Sequence, residues 1–111
     1  MTSPIHTRAQ NKLVDLIKSA YPVILQNVGY PQNTANRIGE IDVIGMLPKF
    51  IDFYEVKSQY DEHLMDKAIR QLALARMYWK LSGDDYIYTP QRGIMLWEEI
   101  VNELGYNPLK R

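Results

Sequence analysis

Two short segments of this chain carry ionisable side chains where a buried strand calls for apolar ones: Ile41-Asp42-Val43-Ile44 and Phe53-Tyr54-Glu55-Val56-Lys57. Side chains alternate along a strand, so Glu40 and Asp42 are expected on one side and Ile41 and Val43 on the other. The same rule groups Glu55 with Lys57, opposite Tyr54 and Val56. Ionised groups inside runs suited to burial are costly unless they are paired or bound to a metal. A conflict between pattern and charge is where a functional site is expected. The segment between the two acids contains Gly45 and Pro48, so the two runs read as an antiparallel hairpin.

The flanking sequence gives this hairpin its context. Ala9, Leu13, Leu16, Ile17 and Ala20 recur at three- and four-residue steps, which predicts an amphipathic helix over residues 8–20, ended by Tyr21-Pro22. Val23 to Val28 reads as a strand, followed by loop chemistry from Gly29 to Asn36. Residues 61–81 lack Gly and Pro and have acids early and Lys80 late, which predicts a long helix stopped at Gly83. Tyr86-Ile87-Tyr88 reads as one more strand. Leu96, Trp97, Ile100, Val101 and Leu104 have helical spacing, with Ile94-Met95 equally able to extend a strand. The expectation is an α/β fold: one domain over residues 1–111, a small mixed β-sheet flanked by helices in the order α-β-β-β-α-β-α.

Two carboxylates from adjacent strands make a hard-oxygen site suited to Mg²⁺, with Mn²⁺ able to substitute. Asp42 and Glu55 are the candidate metal ligands, and a backbone carbonyl beside them, such as that of Val56, is a further donor. Lys57, two residues after Glu55, projects to the same place, where an ammonium favours hydroxide or neutralises charge growing on a phosphate. The reaction class that suits these groups is metal-assisted phosphodiester hydrolysis. Glu-x-Lys alone is weak; Ile-Asp on one strand followed across a turn by Glu-Val-Lys on the next is far more selective.

On Gly39-Glu40-Ile41-Asp42-Val43-Ile44 and Tyr54-Glu55-Val56-Lys57-Ser58, the chain resembles the PD-(D/E)XK nuclease superfamily, and in it the archaeal and viral Holliday-junction resolvases with their restriction-endonuclease-like relatives. The resemblance covers residues 8–90 in element order. It implies that Asp42 and Glu55 are the metal-binding acids and Lys57 the catalytic lysine. It also implies a homodimer that cuts four-way DNA junctions symmetrically in recombination and repair. The resolvases carry a first-helix glutamate, best matched here by Gln10, and Glu40 is the alternative replacement for that charge. Gln71 matches a glutamine that RecB-like nucleases place beside their active site. A RecB-like exonuclease, a repair or restriction nuclease subunit, and a non-catalytic DNA-binding module of the same fold are the alternative readings.

Lys plus Arg and Asp plus Glu each number 13, so DNA would have to be met by a local basic patch rather than by net charge. The candidates are Arg8, Lys12, Arg37, Lys67 and Arg70: Lys67 and Arg70 share one helix with Arg76 and Lys80, and Lys12, Lys18 and Arg37 extend that strip. A solvated face is the default for such residues, and Gln10, Gln71 and Glu40 read equally as ordinary polar positions. His6 and His63 lack metal-ligand partners at the right spacing and read as solvent-facing. The absence of cysteine excludes disulfides, thiolate zinc sites and a cysteine nucleophile. No apolar run approaches the ~20 residues of a membrane span, and no signal-peptide layout is present. The expectation is a soluble, cytoplasmic protein with no membrane partner.

Overall fold

The computed structural model describes residues 3–31 and 38–105. Its elements are α1 (Pro4–Ile17), β1 (Val23–Tyr30), β2 (Gly39–Met46), β3 (Ile51–Val56), α2 (Glu62–Trp79), β4 (Asp85–Thr89), β5 (Gly93–Leu96) and α3 (Trp97–Leu104). The five strands form one sheet in the order β1-β2-β3-β4-β5. Three neighbouring pairs are antiparallel, and β3 and β4 are parallel. That parallel pair needs a crossover, which α2 supplies.

The sheet is covered on both faces. Ile44, Phe53 and Ile87 pack with Met65, Ile69 and Leu72 of α2 and Ile100 of α3 in one core. Val43, Tyr54, Val56 and Tyr88 pack with Ala9, Leu13 and Ile17 of α1 in the other. This layering explains why β2 and β3 read as nearly continuous apolar runs: both of their faces are buried. Trp79 packs on Phe53 and Tyr30, and the Trp97 indole N–H donates to the Ile69 carbonyl, so both tryptophans serve the first core.

The structure departs from the sequence expectation in several places: α1 ends at Ile17 rather than at residue 20, and β1 runs on through Gly29 and Tyr30, where loop chemistry is expected. A fifth strand, β5, precedes α3, so the order is α-β-β-β-α-β-β-α. Ile94-Met95 lies in that strand, as one of the two open readings has it, and Leu96 joins them there rather than in the last helix. The first helix starts at Pro4, four residues before the start expected at residue 8. The Ser3 side chain caps it by accepting from the His6 N–H at 3.1 Å, and Pro4 occupies a first-turn position where a missing N–H does no harm. The long helix ends at Trp79, with Lys80 in the left-handed region at φ 55°. Gly83 is not its stop: at φ +154°, a Cβ there would lie 1.9 Å from the Ile51 carbonyl oxygen, so glycine is needed for the close approach of two backbones.

Candidate active site

The sheet divides at the point where the two acids sit. The β2–β3 register runs from Met46↔Ile51 to Val43↔Tyr54 and stops. Beyond it β3 stays with β4 through Val56↔Tyr88, while β2 stays with β1 through Val28↔Ile41. Side chains replace the next rung. The Asp42 carboxylate accepts the Val56 N–H at 2.8 Å, and Glu55 accepts the Asp42 N–H at 3.4 Å. Each strand's backbone donor left without a ladder partner is thus satisfied by the other strand's acid. The strands part, and the two carboxylates are left in the fork.

Asp42 also marks a change of face in β2. Alternation predicts Ile41 and Val43 on one side, but Ile41 lies in the core under α2 and Val43 in the core under α1. On β1, Asn27 opposite Asp42 takes φ 55° and interrupts the register between Gln26↔Val43 and Val28↔Ile41. Gln10 of α1 supports this kink. It is buried, and its side-chain NH₂ group reaches the Asp42 carbonyl at 3.1 Å, Gln26 Oε1 at 3.0 Å and Asn27 Oδ1 at 3.2 Å.

A cleft of about 350 Å³ opens over the fork, lined by Ser3, His6, Glu40, Asp42, Glu55, Lys57 and Gln71. Glu55 is only 2% exposed, and burial first, then the charge of Asp42, pushes its carboxyl well above the usual carboxylate range. Lys57 acts in the opposite direction with its Nζ 4.0 Å from Glu55 Oε2, and α2 holds the same ammonium through Gln71 Oε1 at 2.9 Å. His6 closes the N-terminal side of the cleft. Its Nε2 lies 3.0 Å from the Val56 carbonyl oxygen and 3.3 Å from Asp42 Oδ2, while its Nδ1 is buried with no hydrogen-bond partner among the described residues.

The donor set suits a hard divalent cation. Two close carboxylates, one of them deeply buried and raised by its neighbour's charge, are relieved by a cation between them. The Val56 carbonyl oxygen, beside Asp42 Oδ2 on the same imidazole, is a third oxygen. Among the described residues no three His, Cys, Asp or Glu side chains gather into a fuller ligand shell. A small protein donor set is what Mg²⁺ takes, since it keeps several waters and leaves room for a phosphate.

Of the residues singled out from sequence, Asp42, Glu55, Lys57, Glu40 and Gln71 line this one cleft, and Val56 meets it through its carbonyl. Gln10 does not line it. Its amide is committed behind Asp42, holding backbone rather than facing the cleft, because the side chain enters the layer between α1 and the sheet. Arg8 and Lys12 line a separate cavity of about 460 Å³ along α1, with Ile5, Ala9, Asn11, Asp15 and Pro90. Lys67 is exposed on α2, and Arg70 pairs with Asp66 at 3.0 Å. Arg37 lies outside the described residues. Arg76 does not belong to a solvated basic strip: its guanidinium stacks on Phe53 at 4.0 Å and bonds Asp85 and the Leu81 and Asp84 carbonyls.

Sequence reasoning missed His6 because it has no metal-ligand partner at the right spacing and so reads as solvent-facing. The signal that finds it is Ser3-Pro4, an N-cap followed by a first-turn proline, which puts His6 in the opening turn of α1.

No family model matches the chain, and no curated protein matches it. Among solved structures, the chain is similar to a repair endonuclease from Pyrococcus abyssi, with a TM-score of 0.54 and 14% identity. The match covers 96% of this chain and 45% of that one, so the chain spans less than half of the endonuclease's length. At this identity the similarity is one of fold. The five-stranded mixed sheet flanked by helices is an α/β arrangement compatible with the restriction-endonuclease-like fold.

Proposed function

We propose that this chain is a metal-dependent DNA endonuclease of the PD-(D/E)XK type, acting as a homodimer on branched DNA such as four-way junctions. The observation that carries the reading is the fork between β2 and β3, where Asp42, Glu55 and Lys57 face one open cleft. The fold similarity to a repair endonuclease supports it.

Asp42, Glu55 and the Val56 carbonyl would hold Mg²⁺, or Mn²⁺ in its place. When bound, such an ion polarises a phosphate and lowers the pKa of water. The chain's own groups do the rest. Asp42 is fixed from three sides, by the Val56 N–H, by His6 and through its carbonyl by Gln10, so its carboxylate is oriented before substrate arrives. Gln71 fixes Lys57 Nζ at the cleft, where the ammonium balances charge growing on the scissile phosphate and orients the attacking water. Glu55, poorly solvated, gains most from a nearby cation.

The test is cleavage of synthetic four-way, flap and linear DNA with Mg²⁺. Symmetric nicks on the junction, lost in Asp42→Ala and Lys57→Ala and kept in His63→Ala, are expected. Equal activity in all three variants refutes the reading. The hydrogen bond between Lys57 and Gln71 favours, as a second reading, a RecB-like exonuclease or a repair or restriction nuclease subunit. Preference for free ends over junctions selects it.

A further inference from the structure

Beside the Asp42 backbone, where Gln10 holds its carbonyl, lies a second cavity of about 160 Å³, lined by Thr7, Gln10 and Asn11 of α1 and by Gln26 and Asn27 of β1. None of these five side chains carries a charge. Gln10 forms its floor and fixes the orientation of two of the others: Gln26 Oε1 and Asn27 Oδ1 both accept from the Gln10 NH₂ group. With their oxygens turned inward, the NH₂ ends of Gln26 and Asn27 are left as outward donors, and neither donates to another described group. Both side chains are exposed at the rim, where Thr7 and Asn11, one helical turn apart, add further donors and acceptors.

From this arrangement we infer that the cavity is a base-recognition pocket that takes the acceptor edge of guanine in DNA engaged at the fork between β2 and β3. The inference rests on the nuclease reading above and adds a sequence preference to it. Guanine presents two adjacent acceptors, N7 and O6, and two neighbouring amide donors complement that pair. The neutral lining disfavours a phosphate as occupant, since no cation is there to balance it. The placement also fits: Gln10, which lines the pocket, donates to the backbone carbonyl of Asp42, which lines the cleft. A nucleotide whose phosphate sits in the fork has its base one sugar away. The left-handed backbone at Asn27 has a use in this reading, because it turns the side chain of a β1 residue toward α1 beside that of its neighbour Gln26.

The test measures binding and cleavage separately, on the full chain. Fluorescence anisotropy compares a labelled oligothymidine carrying one guanine with the same strand carrying 7-deazaguanine, which lacks the N7 acceptor, and with thymine throughout. The guanine strand is expected to bind about fivefold to tenfold tighter than either. Gln26→Glu and Asn27→Asp keep the oxygen that Gln10 needs and replace the outward donor with an acceptor. Each is expected to bring the guanine-to-deazaguanine ratio to about one with an unchanged thermal midpoint. Because the readout is a ratio, the added negative charge cancels from it. Mapped cuts on branched DNA of varied sequence are expected to favour guanine beside the cut. A ratio of one for the unaltered chain, or a ratio that both variants retain, overturns the inference. Cleavage without guanine preference overturns the pocket and leaves the nuclease reading standing. Guanine discrimination in binding without cleavage of any substrate upholds the pocket and overturns the nuclease reading.

Discussion

Arg76→Met distinguishes a structural guanidinium from a DNA-facing one. In the fold, Arg76 Nη2 lies 2.8 Å from Asp85 Oδ1 and its Nε 3.2 Å away; the same guanidinium donates to the Leu81 carbonyl at 2.7 Å and the Asp84 carbonyl at 3.2 Å, over the Phe53 ring. Methionine keeps an apolar stem on Phe53 and removes every one of these donors. A hydrogen bond to a charged group contributes about 1.5–3 kcal/mol and a partly desolvated cation–π contact about 1 kcal/mol, so the expected loss is about 3 kcal/mol. For a chain of this size that lowers the melting midpoint by about 12 °C, at about 4 °C per kcal/mol. The loss is also pH-dependent. Burial raises the Asp85 carboxyl above its ordinary value, and Arg76 is what draws it back. Without Arg76 the folded pKa rises further above the unfolded one, so the variant's deficit is full where Asp85 is ionised and shrinks as pH falls toward the unfolded value of about 4. Urea unfolding at pH 8 and pH 4 measures both parts. A deficit below about 1 kcal/mol and equal at the two pH values, with weakened DNA binding, would refute this account and return Arg76 to the solvated strip.

Glu55→Gln is expected to flatten the pH dependence of stability. A buried acid with a raised folded pKa favours folding below its unfolded value of about 4.3, and that contribution is lost as pH rises through the folded value; an unchanged slope in urea titrations from pH 4 to pH 8 would count against it. Mn²⁺ at a hundred times its dissociation constant is expected to stabilise the chain by about 2.7 kcal/mol, and much less in Asp42→Asn or Glu55→Gln, as read by thermal shift. Lys57→Ala is expected to slow junction cleavage about a thousandfold with little change in DNA affinity, and equal rates would remove Lys57 from the chemistry. Gln10→Leu strands the Asp42 carbonyl in a buried layer and is expected to cost about 2 kcal/mol in urea unfolding, whereas a surface glutamine would cost almost nothing.

Local rules reached far along this chain. Alternating pattern and charge conflict picked out Asp42, Glu55 and Lys57, because a strand that buries both faces has no cheap place for an ionised group. The lack of Gly and Pro and the order of charges located α2, and helical spacing located α3, since periodicity reports the face a helix buries. What failed were positions whose surroundings come from distant residues. The α1 residues that pack on the sheet begin at Ala9, and Ile5 in the first turn stays exposed, so the apolar repeat did not mark the turn that carries His6. Gln10 and Arg76 look alike in sequence to solvated helix residues. Their partners lie 16–32 and 5–9 residues away, on elements that only folding brings near.

The sequence by itself determined the hairpin, its two acids and its lysine, and with them the hard-oxygen chemistry on which the nuclease reading rests. Only the tertiary structure decided how those groups meet. The β2–β3 ladder stops at Val43 and Tyr54, and the acids take up the next backbone N–H groups. The left-handed Asn27 and the buried Gln10 sit beside Asp42 where β2 changes face, and His6 enters the cleft from a helix that begins ahead of the start expected at residue 8. The physical reason is one of range: burial pattern and charge are written into neighbouring residues, whereas the parting of two strands depends on which backbone groups find partners across the whole sheet.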